Sequence, residues 1–184
     1  QIVENPDMLQ LGGEKREMTP FFSDVQGFST ISEGLTPEEL VQLLNEYLTA
    51  MCDIISSHHG TIDKFEGDAI IAFWGAPLDQ PDHATVACYA AIEMQQRNEE
   101  MRQMLREQNR PLLYTRMGLN SGPVVVGNMG SADRMDYTMM GDVVNLAARL
   151  EGANKFYKTF TMISGSTYEL AKDNIDSRQL DIIR

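Results

Sequence analysis

The chain is short of positive charge, of cysteine and of long apolar runs, and each shortage removes a class of protein. Fifteen lysines and arginines stand against 27 aspartates and glutamates in 184 residues, a formal net charge of −12. A general binder of nucleic-acid backbone carries a basic face or stripe, so nucleic acid is not an expected partner. A nucleotide is not excluded, because its charge can be met locally by metal ions and one or two cations. Only two cysteines are present. Cys52 and Cys88 form no CxxC pair and lie in different helical patterns, so they read as reduced core or near-core thiols rather than a disulfide framework. His58, His59 and His83 lack metal-ligand spacing. No apolar run reaches the ~20 residues of a spanning helix, and Gln1 to Glu14 does not read as a signal peptide. The expectation is a soluble, cytoplasmic domain, with room for a regulatory or membrane-anchoring domain N-terminal to it.

What is present is ordinary for a globular domain: 42% hydrophobic and 23% charged residues. Residues 1–15 read as a linker and 16–184 as one domain without internal repeats. A first strand ends at Phe22, and Pro20 within it is expected at an edge position or a strand start, since proline donates no ladder hydrogen bond. Thr36-Pro37-Glu38-Glu39 is a helix start with N-cap threonine, proline at N1 and a capping-box glutamate. Leu40, Leu43, Leu44, Tyr47, Leu48, Met51, Ile54 and Ile55 follow at spacings of three and four, one apolar stripe, with Gly60 as the stop. Thr61–Phe65 and Ala69–Trp74 flank Glu66-Gly67-Asp68 as a hairpin. A helix over Asp82–Glu107, strands at Leu113–Leu119, Val124–Val126 and Tyr137–Met139, a helix over Asp142–Leu150, a strand at Phe160–Ile163 and a helix over Tyr168–Ala171 complete the chain. Helices and strands without strict βαβ alternation predict an α+β fold with a largely antiparallel sheet.

Three segments carry chemistry. Asp24 ends the first strand, and Asp68 stands at the hairpin turn. If the hairpin pairs beside that strand, both carboxylates reach one sheet edge and offer the hard oxygens that Mg²⁺ or Mn²⁺ takes while holding phosphates. Taken alone, each acid is more often a turn or cap residue. Gly27 lets the backbone approach a phosphate closely. In Asp142-Val143-Val144-Asn145-Leu146-Ala147-Ala148-Arg149, Asn145 and Arg149 are four apart and share a helix face. They are either a donor pair aimed at a polyphosphate and ribose, or a solvated arginine with an asparagine neighbour.

Together these segments, with Phe73-Trp74-Gly75-Ala76-Pro77, Met117-Gly118-Leu119-Asn120-Ser121-Gly122 and Val126-Gly127-Asn128-Met129-Gly130, resemble the catalytic domain of class III adenylyl and guanylyl cyclases. The resemblance runs from about Glu14 to the last residue. It implies a ferredoxin-like palm whose sites form between two copies of the domain, hence a homodimer using two Mg²⁺ or Mn²⁺ ions per site. Asp24 and Asp68, with the backbone of Val25, match the metal-holding positions. The backbone of Gly27, Phe28 and Ser29 matches the turn that cradles phosphates. Lys64 and Thr138 match the pair that selects adenine, and Asn145 and Arg149 the pair that orients ribose and steadies the transition state. Each site takes both aspartates from one protomer and the other four side chains from its partner.

Base choice follows from donors and acceptors. Adenine presents an acceptor at N1 and a donor amine at N6, which a donating Lys64 and an accepting Thr138 complement. Guanine, with N1–H and N2 donors, would call for an acid where Lys64 stands. The expected reaction is therefore ATP to 3′,5′-cyclic AMP and pyrophosphate. The alternatives are a guanylyl cyclase, opposed by Lys64 and Thr138, and a non-catalytic nucleotide-binding dimerisation module, opposed by the presence of all six side chains. A diguanylate-cyclase palm lacks its Gly-Gly-Asp/Glu-Glu-Phe signature. The family pattern continues past Arg184 with a lysine that grips the terminal phosphates, so the domain is expected to lack the family's C-terminal end.

Overall fold

One long strand, β1 (Gly12–Val25), organises the computed structural model, which describes residues 12–131 and 134–182. Residues 12–15, read in the sequence as linker, are the first residues of this strand, and the remaining expected linker lies outside the described residues. Along one edge β1 pairs antiparallel with β3 (Ala69–Trp74), which pairs with β2 (Thr61–Glu66). Along the other edge β1 changes partner. Its first half pairs with β5 (Gly122–Gly130) and its second half with β4 (Thr115–Leu119). β6 (Met135–Met140) extends β5, and β7 (Thr161–Ile163) lies parallel to β4, the one parallel pair among the described residues of the seven-stranded sheet.

Pro20 sits at the change of partner, not at an edge or a strand start. Its carbonyl accepts from Asn120 N–H in the β4–β5 junction, and N and C=O of one strand residue face the same edge. The missing donor therefore falls in the gap between two partner strands, where no ladder bond is lost.

Period-two alternation sorts β1 between two cores. Phe21 and Val25 face a core with Leu43, Tyr47, Met51 and Ile55 of α2 (Pro37–Ser57) and Ala87, Ala91 and Met94 of α3 (His83–Glu107). Met18 and Phe22 face the second core, with Ile71, Phe73, Val124, Val126 and Val144 of α4 (Asp142–Tyr157). The Thr36–Glu39 capping box forms, with Glu39 N–H donating to Thr36 Oγ1 at 3.3 Å and Thr36 N–H to Glu39 Oε2 at 2.9 Å. Such a cap contributes about 1 kcal/mol. At the other end of α2 the left-handed position belongs to His59, at φ 59°, rather than to Gly60. Two short helices, α1 (Phe28–Glu33) and α5 (Gly165–Ala171), complete the fold; α1 had no counterpart in the sequence reading. Both cysteines are free, and burial pushes the Cys88 thiol up to about 12. Among the described residues no helix is long and apolar enough to cross a membrane.

Candidate active site

The β2–β3 hairpin does pair beside β1, with Ser23 opposite Ile70. Its turn residue Asp68 thereby reaches the end of β1, where Val25 N–H donates to Asp68 Oδ2 at 2.8 Å. Asp24, on the α4 face of the same strand, lies directly across from Arg116 of β4. Arg116 Nη2 meets Asp24 Oδ2 at 2.8 Å, and its Nε lies 3.1 Å from Glu151 Oε1 of α4. Gly118 allows this approach. A Cβ there would run into the backbone of Ala147 and Glu151, so α4 can lie on β4 only over a glycine.

Two carboxylates, Asp24 and Glu151, thus share one guanidinium, and Asp68 stands beside Asp24 without it. Burial pushes the Asp68 carboxyl above its ordinary range. The Val25 N–H opposes that shift, and the neighbouring Asp24 charge adds to it. Burial raises Glu151 in the same way, Arg116 holding it down while Asp24 and Asp68 push it up. Beneath them, Tyr47 is buried and its phenol raised by burial, with Thr115 donating to its oxygen at 3.1 Å. Excess negative charge on hard oxygens is a donor set that suits a divalent cation. Among the described residues no three His, Cys, Asp or Glu side chains form a ready-made metal cage, so Asp24 and Asp68 would supply part of a coordination sphere. Mg²⁺ is commonly held in that way, by one or two carboxylates with substrate phosphates and water.

Next to this pair the chain turns into α1. Gly27 adopts φ 69° and ψ 23° at the helix N-cap, a left-handed conformation that disfavours a side chain, and no side chain caps the helix. The N–H groups of Phe28 and Ser29 belong to the first turn, which has no intrahelical acceptors.

Lys64 and Thr138, from β2 and β6, are joined through Asp63. Thr138 Oγ1 donates to Asp63 Oδ2 at 2.6 Å, and Lys64 Nζ lies 3.7 Å from Asp63 Oδ1. Asn145 and Arg149 are both on the exposed side of α4, whose Val144, Ala147 and Leu150 are buried. Among the described residues Arg149 has no carboxylate within ion-pair distance. The expected site residues therefore form three groups in one chain: the Asp24–Asp68 pair beside Val25–Ser29, the Lys64–Thr138 pair, and the outward face of Asn145 and Arg149. Among the described residues no hydrogen bond or ion pair links the groups to one another. Asp63, Arg116 and Glu151 were missed in the sequence. For Arg116 the signal is a cross-strand register, Asp24 opposite Arg116, between residues 92 apart in the chain, and for Asp63 it is the irregular pairing of β2 with β3.

Comparison with known proteins bears on this arrangement. Residues 13–183 match the family model described as the adenylate and guanylate cyclase catalytic domain. The chain is 41% identical to adenylate cyclase 1 of Rhizobium meliloti over 166 residues, covering 90% of this chain and 25% of that protein. It is 36% identical to an adenylate cyclase of Anabaena cylindrica, covering 90% of this chain and 32% of the relative. The chain thus spans between a quarter and a third of these relatives. Among solved structures, the adenylyl cyclase CyaB from P. aeruginosa superposes with a TM-score of 0.83 at 42% identity, covering 90% of this chain and 85% of that one. The guanylyl cyclase Cya2 superposes with a TM-score of 0.80, also at 42% identity, covering 88% and 81%.

Proposed function

The chain belongs to the adenylate and guanylate cyclase catalytic domain family, and from that premise we propose that it is an adenylyl cyclase. It would convert ATP to 3′,5′-cyclic AMP and pyrophosphate in sites shared by two copies of the chain. The observation that carries the reading is the Val25–Asp68 hydrogen bond, which gathers two carboxylates at one end of the sheet beside an uncapped helix start. Overall likeness does not choose the base, since an adenylyl and a guanylyl cyclase structure are equally identical to the chain. The choice rests on Lys64 and Thr138.

In the reaction the ribose 3′-oxygen bonds to the α-phosphorus in line with departing pyrophosphate, and the hydroxyl proton is lost to solvent. Asp24 and Asp68, with the Val25 carbonyl, would hold two Mg²⁺ or Mn²⁺ ions, whose chemistry is to acidify the attacking hydroxyl and neutralise charge on the phosphates. The Phe28 and Ser29 amides would donate to phosphate oxygens. Lys64 would donate to adenine N1 and Thr138 would accept from N6. Asn145 would fix the ribose, and Arg149 would stabilise charge that develops on the α-phosphoryl group in the transition state. The outward direction of Asn145 and Arg149 supports their serving a second copy. Residues 16–184 would form this catalytic unit.

Incubating the protein with labelled ATP or GTP and Mg²⁺ or Mn²⁺, then separating the products, tests the reading. Cyclic AMP from ATP with little product from GTP is the expected result. Cyclic GMP from GTP in excess of cyclic AMP from ATP, or no cyclic nucleotide from the dimeric protein, refutes it.

A further inference from the structure

We propose that Asp63 is a specificity-determining positioning residue: it holds the Thr138 hydroxyl as an acceptor-only group and aims the Lys64 ammonium, and so sets the preference for a 6-aminopurine over a 6-oxopurine nucleotide. The inference rests on the reading of Lys64 and Thr138 as the base-binding pair. A threonine hydroxyl by itself both donates and accepts, so it can greet the amine of adenine or the carbonyl oxygen of guanine. The structure removes that ambiguity. Thr138 donates its proton to Asp63 Oδ2 at 2.6 Å, and only its lone pairs remain to face a base. An exocyclic amine is then matched, whereas a carbonyl oxygen meets a lone pair.

The backbone of β2 explains how Asp63 reaches both partners. Ile62 pairs with Ala72 and Lys64 with Ile71, so Asp63 is the additional residue of a β-bulge. Ile62 packs in the core of α2 and α3, while Ile71 belongs to the core on the opposite, α4 side. Strict alternation from Ile62 would put Asp63 on the α4 side and return Lys64 to the other. The bulge instead places Lys64 across from Ile71, on the face that Asp63 already occupies. One carboxylate can therefore touch β6 through Thr138 and restrain the neighbouring ammonium, 3.7 Å away. The Asp63 side chain is only 3% exposed and that of Lys64 is 43% exposed: the aspartate lies behind the pair, and the lysine is presented outward.

A plain strut between β2 and β6 is the competing account of the same contacts. Burial pushes the Asp63 carboxyl up from its ordinary range, against the Thr138 hydrogen bond and the Lys64 charge, and Asp136 adds to the rise. A carboxylate is thus a poor choice for a strut alone. The two accounts also differ in what they move: a strut alters stability and leaves base discrimination unchanged.

The test compares kcat/KM for ATP and GTP in the dimeric protein carrying Asp63→Asn, Asp63→Glu, Lys64→Glu or Thr138→Val. Binding of the non-cyclisable 3′-deoxy-ATP and 3′-deoxy-GTP gives a second readout. In Asp63→Asn the amide carbonyl turns to Lys64 and the NH₂ to Thr138, freeing the hydroxyl proton to point at the base. The ATP/GTP ratio should fall about tenfold or more, the scale of one buried hydrogen-bond mismatch, with kcat on ATP changing less than the ratio. Asp63→Glu, which retains the carboxylate, should preserve more of the ratio. In a Thr138→Val background Asp63→Asn should add only part of its single effect, because coupled residues are not additive. If Asp63→Asn fails to fold, Asp63→Ser serves the same comparison with the same outcomes. A ratio unchanged in Asp63→Asn but shifted in Lys64→Glu overturns the inference and leaves the base-site reading intact. A ratio unchanged in all of them overturns both.

Discussion

Replacing Arg116 by methionine tests whether the acidic end of β1 is held together by one cation. The substitution keeps the aliphatic stem and removes the guanidinium, leaving Asp24 and Glu151 without the charge they share. Breaking a fully buried pair by deleting one partner costs about 3–5 kcal/mol. Here the Arg116 side chain is 14% exposed and its partners 36% and 16%, so solvent recovers part of that, and about 2–3 kcal/mol is expected. At about 2–4 °C per kcal/mol for a chain of this size, the melting midpoint should drop by roughly 5–10 °C. Circular dichroism melts without added divalent ions, or calorimetry, measure it directly. Glu151→Gln completes a double-mutant cycle, and the two changes together should cost less than their sum by about 0.5–3 kcal/mol. A melting point within about 1 °C of the parent, or strict additivity, would refute the network.

Asp24→Ala and Asp68→Ala should each abolish cyclic-nucleotide formation while the far-ultraviolet spectrum stays native; parent-like turnover in either sinks the metal-site assignment. Arg149→Ala should lose about 10²-fold or more in kcat with little change in KM. Coexpressed with Asp24→Asn, it should regain activity approaching half the parent's per heterodimer, and a dead heterodimer rules out a shared site. His83 is buried, its ring bonded to Thr19 at 2.7 Å, and burial lowers its pKa despite Glu17, Asp82 and Asp79. The unfolded chain therefore binds this proton more readily, so stability should fall as pH drops below about 6.5. His83→Gln should flatten that part of the pH–stability curve, and an unchanged slope would refute the burial argument.

Local signals in the sequence were reliable where a single element carries them. The Thr36–Glu39 cap, the α2 stripe, the helix ending at Glu107 and the hairpin at Gly67-Asp68 are all present, because caps, periodicity and turns act within a few residues. Pro20 was misjudged because its position depends on two partner strands exchanging beside it, which only the register of β1 with β4 and β5 defines. Gly60 was assigned the helix stop on residue type, yet His59 takes the left-handed position. Asp24, Asp68, Lys64 and Thr138 were nameable as candidates through family-like spacing. Asp63 was not, because its role depends on a bulge that brings two consecutive side chains to one face. Arg116 and Glu151 were hidden for a related reason: they meet Asp24 only through a strand register and a helix seated on Gly118.

The β2–β3 hairpin carries two acids that the fold pushes toward protonation, Asp63 near its bulge and Asp68 at its turn. Glu151, raised in the same way, is answered by a guanidinium; Asp68 is answered only by a backbone N–H and stands beside Asp24. A chain with an excess of acids has ample positions to leave carboxylates in solvent, so drawing these two out of it carries a desolvation cost. Groups perturbed in this manner gather where chemistry is done. Under the shared-site reading the two ends of the hairpin serve different sites: the turn holds metal in one, and the bulge presents Lys64 to the base in the other. A shift of the hairpin along β1 would then disturb both sites of a dimer at once. That double duty accounts for a hairpin pinned twice, by the Val25–Asp68 bond at its tip and by the Thr138–Asp63 bond across to β6.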